Sequence, residues 1–176
     1  MERRLLKFKY KPKDDLIFVK YEQDKQNDII DTITLETSEK PRKELSDALQ
    51  AMAEHLVDIV EAPPGWEEKI TVSSISVTWN SGIQGLVITG LRALQLSNSP
   101  MVINTPHFTR ESYNEDSESD KNIFSYDCAL ALDRLCSLVF RYVDGERKQL
   151  TLDFEEGKRR VQQIYETDKV LETIGT

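Results

Sequence analysis

Apolar and charged positions alternate in Leu6-Lys7-Phe8-Lys9-Tyr10-Lys11, the period-two signature of a half-buried strand whose lysines face water. A polar turn follows at 12–15, and LIFVKY at 16–21 reads as a second, more apolar strand. After another polar turn at 24–28, Ile29, Ile33 and Leu35 fall on one side of a third strand. The period then lengthens. Leu45, Leu49, Met52, Leu56 and Val60 form one stripe, with Ala48, Ala53 and Ile59 beside it. A helix is therefore expected over 38–60, with Ser38 as N-cap and Pro41 in the first turn, ended by Pro63-Pro64-Gly65.

ITVSSISVTW at 70–79 is rich in β-branched residues, and its alternation places Thr71, Ser73, Ile75, Val77 and Trp79 on one face. Asn80-Ser81-Gly82 is a hairpin signal, and 83–96 returns as a strand with Gly85 and Gly90 as points of bulging or close approach. Asn98-Ser99-Pro100 is expected to break that strand before a short one at 101–104. A polar loop with Glu111, Glu115, Asp116, Glu118 and Asp120 spans 106–120. Asp120 is the expected cap of a second helix, with a stripe of Phe124, Cys128, Ala131, Leu135, Leu138 and Tyr142 and with Gly145 at C′. Residues 148–154 are extended in character, and Val161, Ile164, Tyr165 and Leu171 make a weaker terminal helix. The order βββ-α-ββ(β)-α predicts an α+β fold: an antiparallel sheet of about five to six strands with two main helices on one face, and a C-terminal extended or helical tail. The domain is expected at 1–146, with 147–176 appended to it.

At 176 residues, 39% of them hydrophobic, the chain is long enough to bury a core without disulfides or metals. The net charge of −8 removes a fold-wide positive field and argues against direct nucleic-acid binding, which depends on Lys and Arg. A local exception is the basic stripe Arg3, Arg4, Lys7, Lys9, Lys11 and Lys13, where Phe8 and Tyr10 could stack bases. Alternation turns those aromatics toward the core, however, and lysines also keep a strand from pairing edge to edge. Cys128 and Cys136 lie eight residues apart, roughly 12 Å along a helix and too far to bridge, so two free thiols imply a reducing compartment. The first fifteen residues lack the apolar core of a secretory signal, and no apolar run is long enough to span a bilayer. The expected location is the cytoplasm, with no membrane partner.

Candidate chemistry is sparse. His55 lies beside the first helix stripe near Glu54 and Asp58 and reads as an ordinary helix-face residue. His107 opens the acidic loop, a better setting for binding. Cys128 belongs to a core stripe with nothing nearby to lower its pKa. No CxxC or HxxxH spacing suggests zinc, and no GxxxxGK[ST] loop is present. Asp116, Glu118 and Asp120 begin like a calcium loop, but Lys121 replaces the turn glycine and Asp127 the closing glutamate. The chain is expected to be neither an enzyme nor the holder of a metal or cofactor.

One segment stands out. Gln149-Leu150-Thr151-Leu152-Asp153-Phe154 resembles the hexapeptide, Gln-Leu-x-Leu-x-Leu/Phe, by which bacterial replication and repair proteins dock on the polymerase sliding clamp. The resemblance covers six residues and implies a partner, not a fold. It implies that the Gln149 amide bonds at the rim of a cleft while Leu150, Leu152 and Phe154 fill an apolar pocket. Extended backbone would place those three on one side. The expected function is a non-enzymatic accessory protein of bacterial or phage DNA replication or recombination, partnered by the clamp. The alternative is an acidic, phage-type interaction or inhibitor protein that imitates DNA or antagonises a basic host or defence protein. A third reading, as an enzyme, requires acidic pairs and His107 to converge.

Overall fold

The structure, a computed structural model, describes residues 2–147 other than 12, 15, 26–28 and 113–121. Its elements in chain order are β1 (Arg3–Lys11), β2 (Leu16–Lys25), β3 (Ile29–Thr37), α1 (Lys43–Ile59), β4 (Ile70–Asn80), β5 (Ile83–Leu94), β6 (Ser97–Asn104), β7 (Phe108–Thr109) and α2 (Tyr126–Val143). All described strand pairs are antiparallel, in the order β3-β2-β1-β4-β5-β6, and β7 pairs with β5 on the same side as β6. The α+β architecture is therefore as expected, with β7 as an added strand.

The core lies between one sheet face and the two helices. Phe8, Ile17, Val19, Ile75, Leu86 and Ile88 from the sheet meet Leu49, Met52 and Leu56 of α1 and Leu132, Leu135 and Val139 of α2, all almost fully buried. Each such side chain contributes about 1.5–3 kcal/mol relative to exposure. Tyr21 and Phe140 meet edge to face with ring centroids 5.7 Å apart, joining β2 to α2.

Two bulges overturn the simplest alternation. In β1 the register shifts between Leu5 and Lys7, so Leu5 enters the core and Leu6 does not. In β4 the shift falls between Val72 and Ser74, so the core face is Ile70, Val72, Ile75 and Val77, with Thr71 exposed. Both helices also start later than expected. Helix α1 follows Arg42, which supplies no side-chain cap. Ser38 is not the cap because 38–42 is held outside the helix: Pro41 forms an antiparallel bridge with Arg147, and the Glu39 carbonyl accepts a hydrogen bond from the Tyr142 hydroxyl at 2.5 Å. Helix α2 is capped by Ser125, whose Oγ accepts the Cys128 N–H at 3.2 Å; Asp120 lies outside the described residues. The end of α2 is as expected. Gly145 has φ +104, its N–H donates to the Tyr142 carbonyl, and the Glu146 N–H donates to that of Arg141, which is a Schellman closure.

The β4–β5 hairpin turns through Ser81 and Gly82, both at positive φ, as Asn80-Ser81-Gly82 anticipates. The next turn does not fall at 98–100. Strand β5 ends at Leu94 and β6 begins at Ser97, so Asn98, Ser99 and Pro100 lie inside β6, on a sheet edge where proline is tolerated. The expected extended stretch at 148–154 and the terminal helix lie outside the described residues.

Candidate functional site

No described element covers the other sheet face, and register defines its rows. Lys9 is opposite Phe18 on β2 and Ser74 on β4; Lys7 is opposite Lys20 and Ser76; Lys11 is opposite Leu16. Lys7, Lys9, Lys11 and Lys20 thus share one open face. Lys20 stands within an apolar stretch, and only strand pairing shows it directly across from Lys7. Two like charges so placed repel. Glu22 and Glu36 share this face two positions from the lysines, opposite Arg4 and Phe18, and Lys11 lies 3.7 Å from Asp14. The face is therefore mixed in sign, with Lys7, Lys9 and Lys20 making no ion pair among the described residues.

Both arginines of the basic stripe are held by carboxylates. Arg3 turns to the helical side, where its guanidinium donates to both Asp144 oxygens at 2.7 and 2.8 Å and lies 4.6 Å from the Phe140 ring centre. Its hydrogen bonds hold the Asp144 carboxyl below the usual carboxylate range. Arg4 pairs with Glu2 at 3.1 Å and lies over Trp79.

The histidines stay apart. His107 Nε2 sits 2.7 Å from Thr78 Oγ1, against the backbone of Gly85, where any Cβ would clash with the imidazole. His55 lines a shallow pocket with Asp58, Glu61, Phe108, Ile123 and Phe124. Among the described residues no group of three His, Cys, Asp or Glu side chains is placed to hold a metal ion. Cys128 and Cys136 are free, and burial pushes both thiols up to about 12. They are packing residues in a setting that suppresses thiolate.

A contact the sequence did not suggest ties the β5–β7 corner to α2. Arg110 donates to both carboxylate oxygens of Asp133, at 2.9 and 2.6 Å, and to Gln84 Oε1 at 3.0 Å. It anchors the chain just past β7 to α2. No described helix is long and apolar enough to cross a membrane.

Gln149, Leu150, Leu152 and Phe154 lie outside the described residues. The chain leads to them from a defined point. Past α2, Arg147 bridges Pro41, pairs with Glu39 and lies over the Tyr142 ring, at the β3 side of the molecule. Compared with protein-family models, curated proteins and solved structures, the chain has no significant match. What the described residues define is a two-layer α+β body with a mixed-charge open sheet face.

Proposed function

We propose that this chain is a non-enzymatic accessory protein of bacterial or phage DNA replication or recombination that docks on the sliding clamp through Gln149, Leu150, Leu152 and Phe154. The observation that carries the reading is the hexapeptide itself, with all four specified positions matched. The Arg147 bridge to Pro41 supports it, because it fixes where the chain leaves the described body, two residues before Gln149. The mixed charge of the open sheet face supports a protein partner over nucleic acid, since Glu22 and Glu36 oppose phosphate where the lysines would attract it.

Burying two leucines and a phenylalanine contributes several kcal/mol before the cost of ordering the peptide. Titration of the full chain and of a peptide spanning 146–157 against a bacterial clamp should give saturable binding. The Gln149→Ala, Phe154→Ala double variant should weaken it on the order of a hundred-fold, about 2.7 kcal/mol. Absence of binding by the unaltered chain refutes the proposal.

A further inference from the structure

We infer that the β6 edge is a self-association surface through which two copies of this chain pair antiparallel about Val102. In a chain whose residues are 31% charged, no Asp, Glu, Lys or Arg occurs from 93 to 109. That stretch includes the β5–β6 turn, all of β6 and all of β7. Beyond β6 the border closes, because at β7 the Thr109 N–H donates to the Asn122 carbonyl and the Phe124 N–H to that of Thr109, so the open part of the uncharged stretch is β6 and the turn before it. Three apolar members of the stretch are open to solvent: Leu96 is fully exposed, Val102 56% and Leu94 42%, while Ile103 and Phe108 pack against the core. The opposite border is built differently. Strand β3 carries Asp31 and Glu36, and Asp31 pairs with Lys25. Charges of this kind keep a strand from recruiting another, and the β6 border has none.

Backbone parity shows which groups are free. The Thr105 N–H donates to the Ile88 carbonyl at 3.0 Å, so in this antiparallel ladder Met101 and Ile103 also point their backbone groups at β5. Pro100, Val102 and Asn104 therefore point theirs outward. Val102 and Asn104 offer N–H donors there, and all three offer carbonyls. A two-fold axis at Val102 matches this set to itself. Each Val102 N–H reaches the other copy's Val102 carbonyl, and each Asn104 N–H reaches the other's Pro100 carbonyl. Proline stands where only an acceptor is used in these bonds.

Charge favours a second copy as the occupant. Each body carries −8, so two copies approach at least cost along a border without charge. About Val102, residues 100–104 of one copy run along 104–100 of the other, so the uncharged strand meets itself. A basic partner would find no carboxylate on this border to pair with.

Sedimentation or light scattering across micromolar to hundred-micromolar protein should show a species of twice 20.3 kDa that grows with concentration. Raising salt should strengthen it, because screening relieves repulsion between like-charged bodies while leaving backbone bonds intact. Val102→Pro removes one outward donor and no bond to β5; Val102→Lys sets two ammonium groups across the axis. Each should weaken pairing at least ten-fold with an unchanged circular dichroism spectrum. A chain that stays monomeric throughout, or a dimer that survives both substitutions, overturns the inference. If Val102→Pro disturbs folding, Val102→Lys decides by the same readout. None of these measurements involves a clamp, so their failure is separable from failure of the docking reading.

Discussion

Gly90 lies on the core face of β5 directly under α1, and replacing it with alanine probes that approach. A Cβ at this position would stand 2.5 Å from Ile70 Cγ2 and 2.9 Å from Leu56 Cδ1, well inside carbon–carbon contact. Both neighbours are almost fully buried, Ile70 at 1% exposure and Leu56 at 0%, so neither can swing away into solvent. Overpacking of this kind costs about 1–3 kcal/mol. Urea unfolding of Gly90→Ala should therefore show an unfolding free energy lowered by that amount, read as a lower midpoint with an unchanged slope. The cause is isolated by a second substitution. Ile70→Ala alone leaves a cavity and costs about 2–5 kcal/mol. In the double variant the new methyl occupies part of that space, so the two losses should sum to less than their separate values by about 1 kcal/mol or more. Additive losses, or a Gly90→Ala midpoint equal to that of the unaltered chain, would refute the claim that steric contact reserves this position for glycine.

Tyr142→Phe removes the hydroxyl that ties α2 to the segment before α1 and should cost about 1 kcal/mol, read from the same urea curves. With their pKa values raised to about 12 by burial, Cys128 and Cys136 should resist a thiol reagent at about pH 8 in the folded state and react together on unfolding; rapid native labelling of either would contradict their place in the core. Arg3 lowers the Asp144 pKa in the folded chain, so this pair stabilises above the unfolded value near 4 and ceases to do so as pH falls through the folded one. A Tm deficit in Asp144→Asn should accordingly be visible at about pH 7 and shrink as pH falls below about 4; a deficit that stays constant in acid would argue against the ion pair as its source.

Periodicity sufficed where one face of an element alone decides its orientation. The stripes of Leu45, Leu49, Met52 and Leu56, and of Cys128, Leu135, Leu138 and Tyr142, are the buried faces of the two helices. It failed where a single residue was inserted into a ladder. Leu6 and Ser73 have no partner across β1–β2 and β4–β5, and each bulge reverses the inward set on one side of it. Nothing in LLKFKYK or ITVSSISV distinguishes the inserted residue from its neighbours, because the shift is set by the strand alongside. The start of α1 failed for a related reason. Ser38 and Pro41 satisfy local capping rules, yet contacts with Tyr142 and Arg147, a hundred residues on, keep 38–42 out of the helix. The open face was half legible. Lysines 7, 9 and 11 were readable as water-facing, whereas the opposition of Lys7 to Lys20 and the departure of Arg3 toward Asp144 depend on pairing and on α2.

Strand order bears on both proposals together. Strands β3 and β6 lie at opposite ends of the sheet, and the chain leaves the described body beside β3, where Arg147 meets Pro41. Pairing through Val102 would therefore join two molecules at the ends remote from the point where each chain leaves the described body. Independence of the two surfaces follows, and it can be measured by crossing the variants. Val102→Pro should abolish the species of doubled mass while its affinity for clamp, per protomer, changes less than about two-fold, under roughly 0.5 kcal/mol. Gln149→Ala with Phe154→Ala should do the reverse, losing clamp while the mass distribution stays that of the unaltered chain. Should the docking variant also fall apart into monomers, residues 149–154 must contribute to the self-association surface, and the separation of the two ends of the sheet would have to be abandoned.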